Sequence, residues 1–259
     1  AYAVMSRFLT DFTEEELKNC INRAYDSKFD TPEIAPLVEA DGAYYLELFH
    51  GPTIAFKDMA LSILPYLMTT AAKKNQIKNE IVILTATSGD TGKAALAGFA
   101  DVPGTRIMVF YPKDGVSPIQ EQQMVTQTGA NTRVIGIHGN FDDAQSGVKK
   151  LFADKELAAW MEERGYQFSS ANSINIGRLV PQIVYYVYAY GSLDRIYTDP
   201  AAAVKRADAQ TGVVLNRAQQ YVWERGNKKT KIQMDIEDVP DTILTANWKK
   251  KELQDGLGD

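Results

Sequence analysis

The sequence predicts an α/β fold in which a parallel sheet is covered by helices on both faces. Three observations carry this. From Ile81 onward, short apolar runs alternate with helical stretches through brief connections. The runs, such as Ile81-Val82-Ile83-Leu84, are apolar without alternation, as strands buried on both faces are. The composition, 259 residues with 45% hydrophobic and 24% charged, is that of a globular protein and excludes a disordered tail, a collagen or a coiled coil.

Taken in order, Thr13-Glu14-Glu15-Glu16 is a capping box. Leu17, Cys20, Ile21 and Ala24 follow at helical spacing, which puts Cys20 in the core. Residues 43–48, aromatic-rich and weakly alternating, predict a strand. The turn His50-Gly51-Pro52-Thr53 then leads into a helix over about 56–74, bent at Pro65. Residues 81–84 are the first strand of the repeat, 85–92 a polar turn and 93–100 an Ala-rich helix. Residues 106–111 form the second strand, followed by a helix over 117–129 with Gly129 as its stop. Residues 132–137 form the third strand, and a helix over 140–153 opens on Asp142-Asp143. The longest apolar-looking stretch, 179–190, contains Pro181 and Gln182 and is too short to span a bilayer. The expected organisation is an N-terminal region (1–77), a small α/β domain (78–170), a helix opening a second lobe (171–193) and a polar C-terminal region (194–259). Its lysine runs at 228–231 and 249–251 read as solvated faces.

The net charge of −5, from 28 Lys+Arg against 33 Asp+Glu, argues against a nucleic-acid or membrane-surface binder. It leaves room for a small anion held by a few local cations. One cysteine forbids an internal disulfide and fits a reducing compartment, so a cytoplasmic setting is expected. His50 and His138 lie far apart, and no His/Cys metal cluster is written. The first residues lack the basic segment, apolar core and cleavage site of a secretion signal. They also lack an initiator Met, which suggests a processed or incomplete N-terminus.

Three stretches can carry chemistry. Thr87-Ser88-Gly89-Asp90-Thr91-Gly92-Lys93 fails as a P-loop, because Thr87 and Ala94 stand where Gly and Ser/Thr are needed. It also lacks the third glycine of a dinucleotide fingerprint. What remains is either an anion site made by backbone N–H groups at a helix start or a tight turn that needs glycine. Lys57 stands among bulky apolar residues after a rigid Gly-Pro turn. Desolvated there, it could form a Schiff base with an aldehyde; the alternative is an ordinary lysine early in a helix. Asn172-Ser173-Ile174-Asn175-Ile176-Gly177-Arg178 opens a helix with amides, a hydroxyl and an arginine, which suit a phosphate or carboxylate or serve as simple caps.

Together these stretches resemble the threonine synthases, closest to the bacterial and fungal-type branch. The residues that carry the likeness are Leu48-Phe49-His50-Gly51-Pro52-Thr53 with Ala55-Phe56-Lys57-Asp58, then Ser88-Gly89-Asp90-Thr91-Gly92, then residues 172–178 with Pro181-Gln182. Gln123-Met124, Thr128-Gly129-Ala130-Asn131 and residues 139–145 read the same way. The resemblance implies a pyridoxal 5'-phosphate enzyme of the tryptophan-synthase-β-like fold (fold type II). Its reaction would turn O-phospho-L-homoserine and water into L-threonine and phosphate, with a small phosphorylated amino acid as the partner. By motif position, Lys57 would hold the cofactor and, once freed, move protons. Ser88 and Asp90 would stand by the cofactor ring, and Ser88, Gly89, Asp90, Thr91 and Gly92 by the substrate carboxylate. Asn172, Ser173, Asn175 and Arg178 would meet the substrate phosphate, with His50 a packing or orienting residue and His138 structural.

The family's glycine-rich run for the cofactor phosphate, and its later Ser/Thr-rich segment for the pyridine nitrogen, have no counterpart after Tyr190. Residues 208–214 are only distantly similar to a late family segment. A phosphate without its cradle binds weakly, so these 259 residues alone are expected to show little or no such turnover. Two other readings stand beside this one: another lyase of the same fold, and a non-catalytic protein that binds phosphorylated ligands.

Overall fold

The structure, a computed structural model, describes residues 1–198. The lysine runs, residues 208–214 and most of the region expected over 194–259 lie outside the described residues. The chain divides into two units, residues 1–36 with 46–185, and residues 37–45 with 186–259.

The elements run α1 (Tyr2–Met5), α2 (Glu14–Ala24), β1 (Leu37–Ala40), β2 (Ala43–Leu46), α3 (Asp58–Leu61) and α4 (Leu64–Lys74). There follow β3 (Glu80–Ala86), α5 (Asp90–Phe99), β4 (Thr105–Pro112), α6 (Pro118–Val125), β5 (Thr132–Ile137), α7 (Phe141–Ala153), α8 (Lys155–Glu162), β6 (Tyr166–Ser169) and α9 (Ile176–Thr198). Among the described residues no helix is long and apolar enough to cross a membrane.

In the first unit, β3, β4, β5 and β6 make one parallel sheet in the order β5-β4-β3-β6. Strand β3 lies inside it, and its successive side chains go to opposite faces. Ile81 and Ile83 join Leu61, Leu64, Leu96, Phe99 and Met124 on one side. Val82, Leu84 and Ala86 join Ala144 and Val148 on the other. Burial on both faces is why this strand reads as an uninterrupted apolar run. The chain proceeds β3→β4→β5 in one direction, then returns to place β6 on the far side of β3. The connections leaving β3 and β6 thus start side by side at the carboxyl end of the sheet, where ligands bind in folds of this kind.

Helix α2 carries the expected capping box, with both the Thr13 and the Glu16 bonds made. Cys20 is buried beside Leu17, Ile63 and Leu67, and burial pushes its thiol pKa up, as for an inert core cysteine. The helix expected over 56–74 is two helices: α3 ends at Leu61 and α4 begins at Leu64. Pro65 falls in the first turn of α4, where no N–H is needed, so the chain breaks before the proline rather than bending at it. Three other limits move. Helix α5 starts at Asp90, three residues before its expected start, which makes Asp90, Thr91, Gly92 and Lys93 its first turn. Helix α6 ends at Val125, short of Gly129, where the Thr126 hydroxyl bonds the Gln122 carbonyl (2.6 Å). Strand β2 stops at Leu46. Four elements, α1, β1, α8 and β6, were not expected from the sequence.

Gly98 fixes how α3 meets α5. A Cβ there would overlap the Leu61 carbonyl oxygen, a backbone atom, so only glycine lets the two helices approach this closely. Lys57 immediately precedes α3 and Asp90 begins α5, so the packing of these two helices sets both residues on one side of the site.

The second unit contains the two-stranded β1–β2 sheet up to Tyr45. Its turn is Asp41-Gly42, both at positive φ (52° and 74°), the pattern of a two-residue hairpin. The Tyr44 hydroxyl donates to Glu39 (3.0 Å) across it.

Candidate active site

Two turns, each gathered by one side chain, shape the site. The first runs from Gly51 to Asp58. The Asp58 carboxylate, 1% exposed, accepts from the Thr53 N–H (2.8 Å), the Thr53 hydroxyl (2.6 Å) and, at 3.5 Å, the Ala55 N–H. This turn holds Ile54 at φ 61°, an outlying conformation for a β-branched residue. Gly51 admits the carboxylate, since a Cβ there would lie 2.5 Å from the Asp58 Cβ. Burial raises the Asp58 pKa, against the lowering pull of those hydrogen bonds and of the Lys93 charge. Lys57 projects from this turn with its Nζ 4.6 Å from the Phe56 ring centroid.

The second turn runs from Thr87 to Gly92. The buried Thr87 hydroxyl oxygen accepts from the Gly89 N–H (3.0 Å) and the Gly92 N–H (2.8 Å). Gly89, the residue before α5, sits at φ 130° and has no side chain to cap it; Thr87 takes the Gly92 N–H instead, and the Asp90 and Thr91 N–H groups are left at the positive dipole end. Ser88 is exposed at the tip of this turn.

Asp90 joins the two turns. Its Oδ2 lies 3.5 Å from Lys57 Nζ. Its Oδ1 accepts from Gln120 Nε2 at 2.9 Å and lies 3.2 Å from Lys93 Nζ. Burial alone would raise this carboxyl; hydrogen bonds from Gln120 and Lys93, with the charges of Lys93 and Lys57, outweigh it and hold Asp90 below the usual carboxylate range.

The third stretch arrives from β6. Asn172 donates through Nδ2 to the Ala86 carbonyl (3.2 Å), which pins it to the carboxyl end of β3. Asn175 donates to the Ser170 carbonyl (2.9 Å) and accepts from the Gly177 N–H (3.0 Å), so it shapes the entry to α9. Ser173 is exposed. Arg178 is 6% exposed; it donates to the Ala171 carbonyl (2.9 Å) and its Nη2 lies 3.5 Å from the Thr91 hydroxyl. Its Nε is buried without a partner, and among the described residues no carboxylate pairs with it. Burial works against its charge and lowers its pKa.

The fold thus brings together three stretches far apart in sequence, with Lys57, Asp90 and Arg178 linked through the start of α5. Sequence reasoning missed Lys93 and Gln120, the two partners of Asp90. A lysine in the first turn of a helix, three residues after an aspartate, was the available signal for the former. His50 holds the approach to the first turn: Nδ1 meets Asp30 (2.5 Å), Nε2 meets Glu47 (2.9 Å), and the ring stacks on Phe49 (4.6 Å). Hydrogen bonds to Glu47 and then Asp30 raise its pKa. Among the described residues no group of three His, Cys, Asp or Glu is placed to hold a metal.

Comparison with known proteins agrees with this chemistry. Residues 29–215 match the family described as pyridoxal-phosphate dependent enzyme, well over half of the chain. The chain is similar to the threonine synthase of Schizosaccharomyces pombe, 40% identical over 258 residues, 96% of this chain and 48% of that protein. It is equally identical to that of Pseudomonas aeruginosa over 192 residues, 73% of this chain and 39% of that one. Among solved structures it is similar to a PLP-bound threonine synthase from Brucella melitensis, with TM-score 0.65, 34% identity, and 87% of this chain and 47% of that one covered. It spans about half the length, or less, of the relatives it matches. The fold is that of fold type II, and the chain belongs to the pyridoxal-phosphate dependent enzymes.

Proposed function

We propose that this site belongs to a threonine synthase, which converts O-phospho-L-homoserine and water to L-threonine and phosphate in the cytoplasm. The observation that carries the reading is Arg178. A guanidinium buried without a carboxylate, with Nε unpartnered, is costly unless an anion completes it. It reaches the same helix start that carries Asp90 beside the Lys57 amine.

The donor set fits pyridoxal 5'-phosphate: Lys57 is a shielded amine, 19% exposed in its side chain, that can take up an aldehyde. When bound, the cofactor supplies an electron sink for proton removal next to the substrate amine. Lys57 would hold it and, with its amine free, would move protons at the substrate carbons. Asp90 and Ser88 would stand by the cofactor ring. The N–H groups of Ser88, Asp90 and Thr91, left over once Thr87 has taken those of Gly89 and Gly92, would receive the substrate carboxylate, because a helix start favours an anion. Arg178 would take the substrate phosphate bidentately, with Ser173 and the second N–H of the Asn172 amide beside it, while Asn175, whose amide meets the Ser170 carbonyl and the Met68 sulfur, would shape the turn that holds them.

The test is discrimination between two ligands in the full chain. Arg178→Ala should weaken O-phospho-L-homoserine at least about tenfold, the scale of a lost charged hydrogen bond. Binding of homoserine, which lacks the phosphate, should change little. Equal losses for both would remove the phosphate reading and favour another lyase of the fold.

A further inference from the structure

We propose that Gln120 is a positioning residue for Asp90: its amide, fixed by the start of α6, holds the Asp90 carboxylate with Oδ1 bound and Oδ2 turned toward Lys57. The inference rests on the reading of Asp90 as a residue beside the cofactor ring.

Gln120 belongs to the capping box of α6. Its Oε1 accepts from the Ser117 N–H (3.1 Å), and the Ser117 hydroxyl accepts from the Gln120 N–H (3.3 Å). With its oxygen engaged there, the side-chain amide has N–H groups left to offer. Nε2 donates one of them to Asp90 Oδ1 at 2.9 Å. The amide is thus oriented at both ends: the backbone N–H requires the oxygen, and the carboxylate requires the nitrogen. Gly89 lies against this amide, since a Cβ there would overlap the Gln120 side chain. Helix α6 therefore braces the Thr87–Gly92 turn at two successive residues, Gly89 by contact and Asp90 by a hydrogen bond.

A capping box takes Glu or Gln at this place, but only Gln serves both partners. A Glu would close the box and set a second carboxylate against Asp90. The lysines beside Asp90 cannot replace the amide. Lys93 and Lys57 stand at 3.2 and 3.5 Å, on flexible stems that end in rotating ammonium groups. The Gln120 contact is the shortest of the three and the directional one, so it sets which oxygen faces Lys57. Against the raising effect of burial, it also leads the contacts that hold Asp90 below the usual carboxylate range, ahead of those of Lys93 and Lys57.

The test titrates the full chain with pyridoxal 5'-phosphate, reading affinity by absorbance and the fold by urea unfolding. Gln120→Glu keeps the capping box, so it should hold the urea midpoint while weakening the cofactor about tenfold. Gln120→Met removes the amide without adding charge and should weaken it to a similar extent, which gives the reading even if Gln120→Glu fails to fold. Ser117→Ala does the reverse: it should lower the urea midpoint through the lost cap and leave the affinity within about twofold. In an Asp90→Ala background, Gln120→Met should change the affinity by less than about twofold, because no carboxylate remains to be positioned. Affinity unchanged in both Gln120 variants, or weakened equally with and without Asp90, overturns the proposal. If Asp90→Ala alone leaves the affinity unchanged, the reading of Asp90 itself fails, and the proposal with it.

Discussion

The two turns that frame the site solve one problem with different chemistry. In the Gly51–Asp58 turn the gathering group is a carboxylate, and in the Thr87–Gly92 turn it is a neutral hydroxyl. Both are buried, both collect two backbone N–H groups, and both deliver a functional residue: Lys57 from the first, Asp90 from the second. The carboxylate carries a desolvation cost that the hydroxyl does not, and its pKa is raised accordingly. The first turn thus carries charge in the group that gathers it, while the second is gathered by a neutral group and carries its charge in Asp90, the residue it sets beside Lys57. The gathering group of the first turn titrates, and that of the second does not.

The largest effect expected from breaking this comparison is that of Asp58→Ala. It strands the Thr53 and Ala55 N–H groups and the Thr53 hydroxyl, and should cost about 3 kcal/mol in urea unfolding. Thr87→Val strands only the Gly89 and Gly92 N–H groups and should cost about 2 kcal/mol.

The pH dependence separates the turns further. Folded Asp58 binds its proton more tightly than the unfolded chain does, so stability contributed by this group falls as pH rises. The fall runs from the ordinary aspartate value, about 3.9, up to the raised folded value. Asp58→Asn should flatten that limb of a stability–pH curve, and Thr87→Val should leave it in place.

The smallest effect expected is at His50, which braces the entry to the first turn. Its raised pKa adds stability that is complete below about 6.5 and is lost as pH rises through the folded value. His50→Gln should remove this limb while changing the melting temperature little at alkaline pH.

Much of this architecture was legible from residue order. Strand β3 announced itself because burial on both faces leaves an unbroken apolar run, and β4 and β5 followed from the strand–helix alternation it begins. Helix α2 did so through the capping box of Thr13 and Glu16, and α7 through the acidic Asp142-Asp143 of its first turn, to which the structure adds a capping box at Asn140. Strand β6 stayed hidden: four residues, Tyr166-Gln167-Phe168-Ser169, are too few for a pattern, and pairing with β3 makes them a strand. The break between α3 and α4 was equally unreadable, for it accompanies the approach of Gly98 to Leu61, across thirty-odd residues of sequence. At the site, Lys57, residues 88–92 and residues 172–178 stood out because each follows a turn or opens a helix. Lys93 and Gln120 did not, since their role depends on where α5 begins and on how the sheet sets α6 beside it.

The most direct test of the account is where pyridoxal 5'-phosphate attaches. Borohydride fixation followed by peptide mapping should place the label on Lys57, leave the exposed lysines essentially unlabelled, and give no label there in Lys57→Ala. Label confined to exposed lysines, or undiminished in Lys57→Ala, would contradict it.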